Sequence, residues 1–162
     1  MSNLKADLDF SPDLTRLLET PDDVLLTRQD MATITAMVQQ QILGRTKEGE
    51  FLNVKGKSPY TRAYYLKRRR EKGYQNKYAT LFYSGNMLKA MTGDVVFDEG
   101  VPVAEVGYYQ EKTDEDIWDL ASYHQSLGAG TNKVVRKFVG VTDEEADDIR
   151  LELQRLLDSH LK

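Results

Sequence analysis

Two short runs of strand-forming residues face each other across a turn, and they constrain the fold more than any other feature of the chain. Val95, Val96 and Phe97 run into Asp98-Glu99-Gly100, and Val103, Val106, Tyr108 and Tyr109 return. β-branched and aromatic residues on either side of a glycine-bearing turn predict an antiparallel hairpin. Pro102 cannot donate to a strand ladder, so it belongs at an edge or a strand entrance. Tyr78 to Tyr83 has the composition of a further short strand, and Ser84 then caps a short helix carrying Met87, Leu88 and Met91.

Around these strands the pattern is helical. Thr27 places a capping hydroxyl before Asp30, whose charge suits the start of a helix. Met31, Ile34, Met37, Val38 and Ile42 then form one apolar stripe, core rather than cofactor surface, and Gly44 is the predicted stop. Residues 45–58 are polar and read as an exposed loop or ribbon. Ser58 and Pro59 make a helix start, and that helix runs to Gly73 with Tyr60 and Tyr64 on one face. Asp114 to Leu127 forms another helix, with Ile117, Leu120, Ala121 and His124 at helical spacing and Gly128 as its stop. Thr142 and Glu145 form a capping box for a last helix with Ala146, Ile149, Leu153, Leu156 and Leu157 on one stripe. Helices around one meander of short strands make an α+β domain: a small, mostly antiparallel sheet packed by several helices.

The 162 residues suit one domain, and 40% apolar against 30% charged residues is ordinary globular composition on the polar side. Residues 27–162 are read as that domain. Residues 1–26 are acidic, weakly patterned and interrupted by Pro12 and Pro21, with Leu14, Leu17 and Leu18 able to form one amphipathic turn. They read as an N-terminal arm that orders on assembly, or equally as an ordinary first helix. The first ten residues hold no apolar core of a signal peptide, and no apolar run spans a membrane, so neither is expected.

Charge is segregated along the chain. Residues 1–50 hold five Lys/Arg against nine Asp/Glu, residues 51–90 ten against one, and residues 91–162 seven against sixteen. The basic middle is either neutralised within the fold or faces an acidic partner, nucleic acid or another copy. Its centre is Lys67, Arg68, Arg69, Arg70 and Lys72, with Arg62 and Lys77 flanking and Tyr60, Tyr64, Tyr65, Tyr74 and Tyr78 nearby. The three arginines spread over about 200° of a helical wheel. Arginines among aromatics can hold phosphates and stack on bases. The acidic balance of the whole chain favours a subunit contact or a solvated face instead.

No residue pattern calls for catalysis, a metal or a cofactor. Cysteine is absent. His124 and His160 have no ligand-spaced companions, and His124 reads as a histidine bonded at a helix end. Asp114-Glu115-Asp116 and Asp143-Glu144-Glu145 both sit at helix starts, where the dipole accounts for them. Gly128-Ala129-Gly130-Thr131-Asn132-Lys133 lacks the strand and spacing of a phosphate-binding loop and reads as a turn.

Three stretches, in order, resemble one family. They are Arg45-Thr46-Lys47-Glu48-Gly49 with Pro59-Tyr60-Thr61 and Ala63-Tyr64; Leu81-Phe82-Tyr83-Ser84-Gly85-Asn86-Met87-Leu88; and Ala121, His124-Gln125 and Gly128 with Arg136-Lys137-Phe138-Val139-Gly140-Val141-Thr142. The chain resembles the bacteriophage virion-morphogenesis or tail-completion proteins of the head–tail junction over residues 28–160. Lys137 stands where that pattern usually has proline, and the basic run at 67–72 is heavier.

The resemblance implies a non-enzymatic structural protein of the virion, a homo-oligomeric ring of six or twelve copies at the neck or upper tail. Its implied partners are connector or adaptor proteins and tail-tube or terminator proteins. Genome DNA would pass through the ring without sequence recognition, and no membrane is involved. Subunits meeting head to tail would set the basic side (Arg62, Lys67, Arg68, Arg69, Arg70, Lys72) against an acidic one (Asp114, Glu115, Asp116, or the start of the last helix). Part of the acidic surface of residues 91–162 is then expected toward the channel. The alternatives are a nucleic-acid-binding module using helix 59–72 and, more remotely, a wall hydrolase.

Overall fold

The computed structural model describes residues 4–5, 26–57, 63–73, 78–81, 85–98, 100–128 and 133–160. In chain order the elements are β1 (Leu4–Lys5), α1 (Arg28–Glu48), β2 (Glu50–Phe51), β3 (Val54–Lys57) and α2 (Ala63–Glu71). They continue with α3 (Asn86–Lys89), β4 (Thr92–Asp98), β5 (Val101–Tyr108), α4 (Glu115–Ser122) and α5 (Asp143–His160), with one π-helical turn, Tyr123–Leu127, prolonging α4. The fold is α+β, as the sequence predicts.

The hairpin forms its centre. β4 and β5 pair antiparallel in unbroken register from Thr92 opposite Gly107 to Asp98 opposite Val101. β1 adds to the other side of β5 at Tyr108 and Gly107, giving the order β1-β5-β4. Pro102 pairs with Phe97 near the entrance of β5, clear of the stretch that β1 reaches. β2 and β3 form a separate small ribbon.

Helix α1 lies across the sheet and against α5. Its stripe is buried through Met31, Ile34, Val38 and Ile42, with Met37 half-buried. At Gly93 a side-chain methyl would run into Thr35, so glycine lets the helix rest on β4. Tyr108, wholly buried, meets Phe138 edge to face at 6.0 Å and donates its hydroxyl to the Met87 carbonyl at 2.9 Å. α5 closes the core with Ile149, Leu153, Leu156 and Leu157.

Several boundaries differ from the sequence reading. Helix α1 does not stop at Gly44, which is helical; it continues to Glu48 because Thr46 is wholly buried and bonds back to the Ile42 carbonyl at 2.7 Å. Gly49, at φ +81°, is the stop. The polar stretch from residue 45 is therefore helix end followed by a ribbon, the second of the two forms expected for it. Among the described residues 78–81, only Tyr78 makes an isolated bridge, and Leu81, at φ +50°, bends the chain out of extension; the rest of the expected strand lies outside the described residues. Gly85, at φ +81°, occupies the N-cap of α3; the capping role expected of Ser84 lies outside the described residues. Leu26, assigned to the arm, is a core residue, 1% exposed. The rest of the arm reading, apart from Leu4 and Lys5, and the Ser58-Pro59 start also lie outside the described residues.

Candidate interaction surface

The basic segment and the acidic helix start were the two surfaces predicted to make contacts. Helix α2 is short, and the turn after it closes at Gly73, at φ +83°. Lys67, Arg68, Arg70 and Lys72 are exposed along it. Successive helical positions turn by 100°, so Lys67, Arg68 and Arg70 share roughly 160° of the wheel and Arg69 points away from them. Arg69 is in fact buried, 3% exposed, and donates from Nη2 to the Thr80 hydroxyl at 3.2 Å. It thus ties α2 to the segment before α3 and leaves the predicted contact set. Arg62 lies outside the described residues.

On the acidic side, Asp114 is the N-cap of α4 and accepts from the Asp116 amide at 3.1 Å. Asp114, Glu115, Asp116 and Asp119 are all exposed, so one helix turn presents a continuous acidic rim. At the start of α5, Glu145 is engaged within the subunit, whereas Asp143 and Glu144 are exposed. Thr142 and Glu145 form the predicted capping box, with the Thr142 amide donating to Glu145 at 2.7 Å and the Glu145 amide donating to Thr142 at 3.1 Å. Farther along α5, Arg150 pairs with Asp147 and Arg155 with Glu152. Asp114 to Asp119, and Asp143 with Glu144, are thus both exposed acidic surfaces at helix starts.

Residues 135–140 form an irregular strap, held by side chains from elsewhere and by two backbone hydrogen bonds, the Leu52 amide on the Lys137 carbonyl at 2.8 Å and the Arg136 amide on the His124 carbonyl at 2.7 Å. Arg45 of α1 donates from Nη2 to the carbonyls of Phe138 and Gly140, at 3.0 and 2.8 Å, and its Nε lies 3.3 Å from Glu145. Burial pushes the Arg45 guanidinium down from its usual range, and Glu145 and Glu50 oppose that. Gln125 accepts from the amides of Phe138 and Val139, at 2.9 and 3.1 Å, and donates to the Val139 carbonyl at 3.1 Å. Asn53 does the same between β2 and β3, accepting from the Lys137 amide at 2.7 Å and donating to the Val135 carbonyl at 3.1 Å. Each amide side chain offers a donor and an acceptor, so one residue satisfies both sides of a strand that has no ladder. Sequence reading missed Asn53 and placed Arg45 in a loop, since nothing local marks a residue for a partner far along the chain.

His124 sits in the π-helical turn, and its carbonyl accepts from the Arg136 amide at 2.7 Å. Burial, with the Arg136 charge beside it, pushes its imidazole down to about 4, so it is neutral at pH 7. Its Nδ1 is buried with no hydrogen-bond partner among the described residues, so the ring is not bonded in the way the sequence reading expected. Among the described residues no cluster of three His, Asp or Glu side chains is placed to hold a metal, and no helix is long and apolar enough to cross a membrane. Neither a family profile, nor a curated protein, nor a solved structure matches this chain.

Proposed function

We propose that the chain is a structural protein of a tailed-phage particle, a ring subunit at the head–tail junction or upper end of the tail. Copies meet head to tail, the basic side of α2 against the acidic start of α4. The observation that carries the reading is where the family-like stretches go. Arg45, Gln125 and Phe138 to Gly140 belong to stretches far apart in the sequence, yet they converge in a single latch of direct hydrogen bonds. Residues that carry a family likeness here hold a strap in place. That is the economy of a building block rather than of a reaction centre.

Two different surfaces on one subunit give a heterologous contact, which closes into a ring when its rotation permits. Native mass spectrometry of the full chain, alone and with a tail-tube or connector protein, tests the reading. Six- or twelvefold assemblies, or a stoichiometric complex with either protein, are expected. A monomer under every condition, binding neither, overturns it. Tight, steeply salt-dependent binding of duplex DNA by that monomer would instead favour the nucleic-acid module.

A further inference from the structure

The end of α4 carries an apolar surface that its sequence pattern assigned partly to the core. Leu120, Tyr123 and Leu127 are 45%, 49% and 61% exposed, and they follow one another at spacings of three and four. Ala121, on the other side of the helix, is wholly buried, and Ile117 and Trp118 pack against the core. The exposed residues therefore form one face, with the acidic rim of Asp114, Glu115, Asp116 and Asp119 along the preceding turns.

This face cannot roll inward. The π-helical turn is closed by the Gly128 amide on the Tyr123 carbonyl at 2.6 Å. Gln125, on its inner side, is bound to the strap through three hydrogen bonds. At Gly128 a side-chain methyl would run into the Lys133 carbonyl, and its φ of +83° also favours glycine. The turn is thus locked with Tyr123 and Leu127 outward. π-helical turns of this kind recur at functional sites.

An apolar centre beside an acidic rim fits a partner that offers basic side chains beside an apolar one. The same chain has such an element in α2, where Lys67, Arg68 and Arg70 are exposed and the half-buried Leu66 lies one turn before Arg70, at the edge of the basic face. We infer that Leu120, Tyr123 and Leu127 form the apolar centre of the contact between copies, and that the occupant is α2 of a second copy. The acidic rim then meets Lys67, Arg68 and Arg70 of that copy. Rim charges select and orient the partner, whereas the desolvated apolar centre supplies most of the affinity. The inference rests on the head-to-tail reading above and adds what holds the contact together.

The test uses the full chain, with light scattering coupled to size exclusion over a range of protein concentration, and thermal unfolding alongside. Leu120→Asp with Leu127→Asp is expected to weaken association at least about tenfold while leaving unfolding unchanged, since both side chains are exposed. Lys67→Glu and Asp116→Lys should each weaken association, and the two proteins mixed, or both changes in one chain, should recover it. Association unchanged in the double aspartate variant overturns the inference and leaves the ring reading standing. A wild-type chain that never associates, even with tail proteins, removes both. If the aspartate variant unfolds, the charge swap decides alone: recovery supports the contact, and failure to recover overturns it.

Discussion

Helices α4 and α5 carry similar sequence signals and end with opposite fates. Each has a capped start, an acidic first turn and apolar residues at helical spacing. In α5 the stripe of Ile149, Leu153, Leu156 and Leu157 is buried throughout. Leu151 lies off that stripe, 70% exposed, and a single exposed leucine is unremarkable on a protein surface. In α4 the pattern splits, Ala121 going inward and Leu120 outward with Tyr123 and Leu127. The difference lies in what each helix packs on. α5 lies along α1 and can settle its stripe against it, whereas the end of α4 is held by Gln125 and the strap, which set its rotation. Apolar period says which residues share a face; it does not say whether anything covers that face.

The contrast is most exposed to disproof at its two leucines. Leu153→Ala, removing a side chain 2% exposed, is expected to cost about 2–5 kcal/mol in urea unfolding. Leu127→Ala should stay within about 0.5 kcal/mol in the same assay. A comparable loss at Leu127 would mean that it is covered within the subunit, and the contrast would fail.

Gln125→Ala asks whether the strap sets the rotation of the turn. It leaves the Phe138 and Val139 backbone groups without their partner, a loss of about 1–3 kcal/mol. Hydrogen exchange should speed up at those two amides well before the rest of the core opens. Unchanged exchange there would show that the strap holds without Gln125.

Thr142→Ala probes the start of α5 alone. Losing the bond to the Glu145 amide should cost about 1 kcal/mol, with association untouched. Because Glu145 also faces Arg45, a cost several times larger would show that the cap and the strap act as one unit.

The smallest expected effect is a pH dependence at the start of α1. Burial pushes the Asp30 carboxyl up, but hydrogen bonds from Thr27 and His160 outweigh it and hold the group below its ordinary value of 3.8. His160 Nε2 lies 2.9 Å from Asp30, so the end of α5 is joined to the start of α1. A depressed carboxyl stabilises the fold fully above its unfolded value, and the contribution is lost as pH falls through the lower folded value. Asp30→Asn should therefore flatten the acid limb of stability below about pH 4. Parallel profiles for the two proteins would assign that limb to other carboxylates.

The capping box of α5 and the Thr27 cap of α1 were legible in the sequence because hydroxyl and carboxylate stand three residues apart and act within one turn, whereas Asp30 was read for the helix dipole and not as the second half of a box. The hairpin was legible for the same local reason, and so were the stripes of α1 and α5. Gly44 misled because glycine ends a helix only where the chain leaves it, and buried Thr46 kept the chain helical beyond that point. Arg69 was indistinguishable from its neighbours, since three consecutive arginines look alike until Thr80 receives one of them.

What the sequence determined by itself is everything with a range of about one helical turn or one strand pair: caps, periods, the central turn and the segregation of charge. Only the tertiary structure decided which arginine is buried, which face of α4 is left outside, and how residues 135–140 are held. Those outcomes depend on partners brought together by folding, Arg45 with Gly140 and Asn53 with Lys137, whose separations of 95 and 84 residues leave no trace in any local pattern. A polar side chain reads the same in sequence whether it meets water or a distant backbone, and burial energy alone tells the two apart.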